Sequence, residues 1–131
     1  MSQENVELVV RTHELSRNDP ESFFSVCDPE IEWDVSHLMP DGRIYNGHEG
    51  VREFWRDWTG TWDEFDFKLV EAVDGGDEVV ARVHQVGTGR ESGAAVELSF
   101  GQIWTVGRGK ITRFRGFPSF EQALEAAGLR E

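Results

Sequence analysis

The segment VELSFGQIWTVGRGKITRFRGF, residues 96–117, decides the fold class, because apolar and polar side chains alternate along it on both sides of a glycine turn. The main apolar positions before the turn are Val96, Leu98, Phe100 and Trp104. A period of two is typical of a strand with one buried face. The turn, GRGK at 107–110, is short enough to join antiparallel neighbours. The segment therefore predicts a β-hairpin.

Two earlier segments, residues 65–69 and 79–83, carry the same period of two. They are bounded by the turn sequences DGGD at 74–77 and GTGRESG at 87–93. Neither connection is long enough for the crossover that parallel neighbours need. The second half of the chain therefore predicts a meander of four long, curved, antiparallel strands.

The first half of the chain has helical spacing instead. Apolar side chains recur at i, i+3, i+4 and i+7 in residues 3–17, and residues 48–60 repeat this pattern. Between these segments, Asp19 followed by Pro20 is typical of the N-cap and first position of a short second helix. A capping box that begins at Ser119 predicts a short C-terminal helix.

The stretch IEWDVSH, residues 31–37, predicts a short strand at 31–35 and raises the question of where Asp34 points. Strict alternation sends Asp34 away from Trp33, to a side where a carboxylate is solvated or protects a sheet edge from aggregation. A bend in the strand would turn Asp34 inward instead, where desolvation would make it a stronger base. Both alternatives stay open at this point.

Helices at the front and strands at the back predict an α+β fold in one domain, residues 1–131. Three N-terminal helices pack on one face of a curved, mainly antiparallel sheet, and a short helix ends the chain. Three helices cannot cover both faces of four long strands. We therefore expect the other face to meet solvent or a partner subunit.

Composition and isolated motifs exclude several classes of function. A formal net charge of −12 disfavours nucleic acids and anionic membranes as partners. No apolar run reaches membrane-spanning length and no secretory signal is visible, so we expect a soluble cytoplasmic protein. Cys27 stands alone, and His37, Asp41 and His48 lack the spacing of metal ligands. The glycine-rich stretches fit hairpin turns better than phosphate loops, so we expect no metal and no cofactor.

The order of these elements, with three short motifs, resembles the nuclear transport factor 2-like superfamily and, within it, the SnoaL-like polyketide cyclase and ketosteroid isomerase group. The motifs are DPEIEWD at 28–34, GHEGVREFW at 47–55 and the hairpin from Trp104 to Ile111. The resemblance implies a cone-shaped fold whose sheet and helices enclose an apolar cavity. It also implies a homodimer through the outer sheet faces. It does not imply one reaction, since the fold carries isomerases, cyclases, hydrolases, dehydratases and binding domains.

Carried onto this chain, the resemblance and the strand alternation give one set of cavity-facing residues. The expected wall consists of His13, Phe24, Trp33, Trp55, Phe67, Val83, Phe100, Gln102, Trp104 and Phe114. The opposite parity gives a polar outer face that we expect to form the dimer, with Arg82, His84, Arg113 and Arg115.

The candidate catalytic residues are Asp34, His13 and Gln102. The isomerase set of an aspartate base, a tyrosine and a protonated acid is not reproduced at the matching positions, so a true ketosteroid isomerase is not expected. His13 lies on the apolar face of the first helix, and Gln102 lies in an aromatic wall where a ligand would satisfy its amide. If so, Gln102→Leu would leave folding nearly intact.

Two functions remain open from the sequence. One is the binding of a small apolar or aromatic molecule, with cofactor-free acid/base chemistry of isomerase, cyclase, hydrolase or dehydratase type. The other is a non-catalytic ligand-binding or dimerisation module. An open pocket with convergent polar groups favours the first and a packed cone favours the second.

Overall fold

A computed structural model describes residues 2–129 of the chain; the remaining positions of the predicted 1–131 domain, Met1, Arg130 and Glu131, lie outside the described residues. Its elements, in chain order, are α1 (Ser2–Asn18), α2 (Pro20–Ser25), β1 (Cys27–Asp34), β2 (Ile44–Asn46), α3 (Gly47–Thr61), β3 (Trp62–Gly75), β4 (Glu78–Gly89), β5 (Ala95–Gly107), β6 (Lys110–Phe117) and α4 (Phe120–Ala126). The predicted α+β fold with a curved sheet is confirmed.

The strands form one sheet in the order β2-β1-β6-β5-β4-β3. Every neighbouring pair is antiparallel except β1 and β6, which run parallel. The predicted four-strand meander is therefore β3 to β6, and β1 and β2 extend it at the β6 edge.

The predicted N-caps of α2 and α4 are confirmed. The Asp19 side chain accepts a hydrogen bond from the Ser22 amide at the start of α2, and Pro20 holds the first helical position. The Ser119 side chain caps α4 in the same way, accepting from the Gln122 amide at 3.2 Å. These bonds satisfy amides that have no partner inside the helix.

Two strand boundaries differ from the sequence prediction. The first strand begins at Cys27, because this residue pairs with Ile111 of β6 across the sheet. The expected loop before α3 contains the three-residue strand β2, whose Tyr45 pairs with Trp33. Both differences come from pairing with distant segments, which a short apolar pattern does not reveal.

The outer sheet face is not fully open, and here the sequence expectation is corrected. Helix α4 packs against it, so Phe120 and Ala123 cover the buried Ile103. Gly101 lets the helix approach, since a Cβ atom there would collide with the Ser119 carbonyl oxygen. A sheet face that seemed to need a partner subunit is therefore covered in part by the chain itself.

The concave face of the sheet and helices α1 to α3 enclose an aromatic core. Trp33 stacks on Phe114 with ring centroids 4.0 Å apart, and Trp104 forms T-shaped contacts with both rings. Cys27 belongs to this core, and burial raises the pKa of its thiol to about 12. The thiol therefore stays protonated and packs as a small apolar group.

Within residues 2–129, no helix is both long and apolar enough to cross a bilayer. The cytoplasmic location expected from the sequence stays a prediction.

Candidate functional site

A cavity of about 60 Å³ lies inside the cone, between the concave sheet face and helices α1 to α3; we name it the inner chamber. Nine of the predicted wall residues line it: His13, Trp33, Trp55, Phe67, Val83, Phe100, Gln102, Trp104 and Phe114. Strand alternation sends the seven residues on strands to the concave face, and helical spacing turns His13 of α1 and Trp55 of α3 toward it.

The polar side of the chamber is a hydrogen-bonded group of three side chains. Oε1 of Gln102 accepts from Trp104 Nε1 at 2.9 Å and lies 3.1 Å from Nε2 of His13. A tryptophan nitrogen is only a donor, so the Gln102 atom that it contacts is the oxygen. The partner at His13 must then be a donor as well, which places the imidazole proton on Nε2.

Burial lowers the pKa of His13; the hydrogen bond to Gln102 opposes this shift and the charge of Arg17 adds to it. His13 is 4% exposed and lies edge-on to Phe67 and Trp104, which explains the desolvation. The ring is therefore neutral near pH 7, with its lone pair on Nδ1. This Nδ1 is buried and has no hydrogen-bond partner in the part of the chain that the structure describes.

Gln85 is a chamber residue that sequence reasoning missed. Its side chain is 3% exposed and lines the chamber, and its Nε2 has no partner among the described residues. The signal was present, because Gln85 continues the parity of Ala81 and Val83 on β4 by one step. The apolar residues of this parity end at Val83, so an apolar pattern alone does not extend to Gln85.

Asp34 does not line the chamber, so its candidate role as a catalytic base is corrected. Its carboxylate is buried and accepts hydrogen bonds from the Ser36 amide at 2.9 Å and the Ser36 hydroxyl at 2.6 Å. Its sheet neighbour across β6 is Arg115, on the outer face. Strict alternation holds, the inward bend does not occur, and Asp34 fixes the turn after β1.

A larger cavity, which we name the outer groove, opens beside the chamber with a volume of about 610 Å³. Phe24 lines this groove and not the chamber, which corrects its predicted position. Phe24 is nevertheless buried, and the guanidinium group of Arg52 lies 4.1 Å from its ring centroid.

Four residues belong to the walls of both cavities: Ser16, Phe23, Trp55 and Phe67. The Trp55 and Phe67 rings stack at 6.0 Å between centroids. These side chains form the boundary between groove and chamber, and a molecule that enters the chamber from the groove must pass them.

The three residues considered for metal binding lie apart from the chamber wall. His48 Nε2 contacts the Cys27 carbonyl oxygen at 3.1 Å, and His37 stacks on Phe117 at 5.3 Å. No group of three potential metal-ligating side chains occurs among residues 2–129.

The model of the SnoaL-like domain family matches residues 9–114 of the chain. The chain belongs to the SnoaL-like family. Because the match runs from α1 to β6, it includes the elements that carry His13, Gln85 and Gln102. No curated protein sequence matches the chain.

Solved structures of similar proteins share the whole fold of this SnoaL-like domain. TerC, co-crystallised with polyporic acid, is 25% identical, with a TM-score of 0.79 over 95% of this chain and 98% of TerC. A nuclear transport factor 2-like protein of Burkholderia thailandensis is 30% identical, with a TM-score of 0.77 over 91% and 95% of the two chains. A protein of Catenulispora acidiphila with a ketosteroid isomerase-like fold, in complex with trimethylamine, is 14% identical, with a TM-score of 0.71 over 95% and 94%.

Proposed function

We propose that this SnoaL-like domain binds a small, largely apolar or aromatic molecule and that His13 transfers a proton to or from it. The observation that carries the proposal is the position of His13 on the wall of an aromatic chamber, with a buried, basic Nδ1 that has no hydrogen-bond partner among the described residues. A buried acceptor without a partner is costly to folding, and a bound ligand would supply one.

The volumes of the two cavities indicate which part of the ligand each would hold. The outer groove, at about 610 Å³, lies within the range of about 300–1,000 Å³ that small-molecule sites occupy. The inner chamber, at about 60 Å³, has room for only a few water-sized groups. The body of the ligand therefore lies in the groove, and one end passes Trp55 and Phe67 to reach His13.

The chamber has the parts of a proton-transfer site that needs no cofactor. His13 is neutral, so its Nδ1 can accept a proton from a ligand. Gln102 fixes the tautomer that leaves Nδ1 free. The Nε2 group of Gln102, which makes no hydrogen bond within the described residues, can donate to charge that develops on a ligand oxygen. This chemistry fits isomerase, cyclase, hydrolase or dehydratase reactions that begin with proton transfer.

TerC supports the binding of a small organic molecule. It is 25% identical to this chain over nearly its full length and was co-crystallised with polyporic acid. Domains of this fold thus take small organic molecules, and the aromatic wall of the chamber suits such a molecule here.

A second candidate function is a non-catalytic binding module. The small volume of the chamber favours it, because aromatic side chains of the chain itself fill most of the cone. In that case a ligand would occupy the outer groove and would not reach His13.

The test is binding of 2-methylnaphthalene, measured by equilibrium dialysis. Ser16→Phe places a ring at the boundary of chamber and groove and should weaken binding by at least about tenfold, which corresponds to 1.4 kcal/mol. The control is Glu14→Phe, at an exposed position of the same helix, which should bind like the wild type. Equal binding by Ser16→Phe, or no binding by the wild type, would contradict a ligand site in the cone.

We also propose that the outer face beyond α4 pairs with a second copy of the chain. The support is the side chain of Val86, which is 45% exposed on β4 beside the polar His84 and Ser99. Val86→Asp should turn a dimer into a monomer in light scattering, whereas Ile44→Asp, at the opposite sheet edge, should not. A wild-type monomer at micromolar concentration would contradict the pairing.

A further inference from the structure

The wall of the outer groove has the opposite charge balance to the rest of the chain. The whole chain contains 25 acidic and 13 basic residues, for a formal net charge of −12. The groove wall instead contains three arginines, Arg17, Arg52 and Arg56, and only two carboxylates, Glu21 and Asp66. An acidic chain repels anions in general, so an anion that binds needs a local excess of positive charge. The groove wall has such an excess.

Two of these arginines have carboxylate partners. Nη2 of Arg17 lies 2.8 Å from Oδ1 of Asp66. Arg52 lies 3.4 Å from Glu21 and 3.4 Å from Glu49, whose side chains are 81% and 90% exposed. Ion pairs with such exposed carboxylates contribute little to stability. Arg52 therefore stays available to a ligand.

Arg56 is the groove arginine without a partner. Its guanidinium group makes no hydrogen bond or ion pair within residues 2–129, and Glu53, three residues earlier on α3, pairs with Arg43 instead. Arg52 and Arg56 are four residues apart on α3, a spacing that makes them neighbours on the helix surface. Like charges at this spacing repel, and an anion bound by both would remove the repulsion.

Aromatic rings lie beside this arginine pair. The guanidinium group of Arg52 is 4.1 Å from the ring centroid of Phe24. The aromatic residues of the groove wall are Phe23, Phe24, Trp55, Phe65 and Phe67. The groove therefore offers a surface for a ring next to cationic groups for a negative charge.

We propose that the outer groove recognises a carboxylate on an aromatic ligand, and that Arg52 and Arg56 bind it. The aromatic rings of the wall pack on the body of the ligand, and the guanidinium groups donate hydrogen bonds to the carboxylate oxygens. Because Arg56 is exposed, the carboxylate lies on the solvent side and the apolar end of the ligand points toward the chamber.

The charge of the wall also limits the ligand class. An excess of one positive charge balances one negative charge, as on an aromatic monocarboxylic acid. A phosphate monoester carries nearly two negative charges at pH 7 and would leave one unbalanced. This inference rests on the proposed function, since it names a polar group on the molecule whose body lies in the groove.

The experiment is equilibrium dialysis of the wild-type protein at pH 7 with three probes of one ring system: 2-naphthoate, 2-naphthamide and 2-methylnaphthalene. The first is ionised, the second has nearly the same shape without the charge, and the third has no polar group. We expect 2-naphthoate to bind at least about threefold more tightly than 2-naphthamide, as for a partly solvated charge pair. Raising sodium chloride from about 0.1 M to about 1 M should remove most of this preference, because salt screens exposed charges.

Arg56→Gln should reduce the preference for 2-naphthoate over 2-naphthamide by at least about twofold, because it removes the unpaired cation. The matched control is Arg11→Gln, which removes the same charge from an exposed position on α1 outside the groove wall. This control should keep the wild-type preference. Thermal unfolding of each variant checks that it is folded.

Equal binding of 2-naphthoate and 2-naphthamide, with 2-methylnaphthalene also bound, would overturn the carboxylate site and leave the proposed small-molecule function standing. Binding of none of the probes would overturn both proposals. An unchanged preference in Arg56→Gln, or an equal loss in Arg11→Gln, would overturn the assignment to the arginine pair. The wild-type comparison and its salt dependence need no variant, so they test the carboxylate site even if a variant does not fold.

Discussion

Two adjacent residues of β4, His84 and Gln85, show how differently the two faces of the sheet treat polar side chains. His84, on the outer face, is half-buried and lies 3.4 Å from the Glu97 carboxylate. Gln85, on the inner face, is 3% exposed and its Nε2 has no partner within residues 2–129.

Ion pairs lie on the outer face, where Arg113 pairs with Glu32 at 2.9 Å and Arg115 with Glu78 at 2.6 Å. Buried side-chain atoms without a partner among the described residues occur on both faces, as Nε of Arg115 and Nε2 of Gln85 show. The surroundings differ, because Gln85 lies on the wall of an aromatic chamber whereas Arg115 lies beside a carboxylate. A partly exposed ion pair such as that of Arg113 contributes little to stability, whereas an unpaired buried amide reduces it.

The largest expected difference between the two sheet faces is in the stability that the protein loses when one side chain is truncated. Phe114→Ala removes a ring that stacks on Trp33 and should lower the free energy of unfolding by about 3–5 kcal/mol. Arg113→Ala, one residue away on the outer face, breaks a partly exposed ion pair and should cost about 0–1 kcal/mol. Urea denaturation measures both. Similar losses in the two variants would show that the faces are not divided as described.

The next effect separates the two chamber glutamines. Gln102→Leu leaves the donors of His13 and Trp104 without their shared acceptor and should cost about 1–3 kcal/mol in urea denaturation. The sequence alone suggested that this change would be harmless, because it did not show these two bonds. Gln85→Leu removes an unpaired donor and should leave stability unchanged or raise it slightly. The reverse order of the two effects would contradict the hydrogen-bond assignment.

The smallest effect is on the pH dependence of stability. Burial lowers the pKa of His13 below its ordinary value of 6.5, so the unfolded chain binds a proton more readily than the folded chain. The stabilising contribution of the neutral ring is therefore present above pH 6.5 and is lost as the pH falls from 6.5 through the folded pKa. The residues that face the ring are Gln102, Phe67 and Trp104, and the charge that acts on it is Arg17.

The measurement is thermal unfolding at pH 7.5 and 5.5. His13→Leu should show a smaller loss of melting temperature between these pH values than the wild type. His84→Leu is the matched control, because it removes a histidine from the outer face, where His84 lies 3.4 Å from the Glu97 carboxylate. A wild-type slope in His13→Leu would mean that His13 does not carry this proton uptake.

Much of the site followed from alternation in the sequence. The period of two placed Phe100, Gln102 and Trp104 on the concave face without any knowledge of their partners. Helical spacing did the same for His13. The face of a helix or strand that a residue occupies follows from its position in the repeat, and this position can be read from the sequence alone.

The remaining features depend on contacts between distant segments. The two bonds to Gln102 join α1 to β5, and the cover over Ile103 comes from α4. Asp34 shows the same limit, since its role depends on the turn at Ser36 and not on its own strand. A pattern of polar and apolar residues assigns a side chain to a face, but it does not show which partner it will have there.

His13 is a neutral imidazole that lines the chamber, and its buried Nδ1 has no hydrogen-bond partner among the described residues. Nitrogen-15 NMR of the histidine rings, which distinguishes protonated from unprotonated ring nitrogens, tests this assignment at pH 7. We predict that His13 carries its proton on Nε2 alone, and that 2-methylnaphthalene shifts the ring signals of His13 while those of His84 are unaffected. A proton on Nδ1, or a 2-methylnaphthalene titration that leaves His13 unchanged, would contradict this assignment and the proposed ligand site.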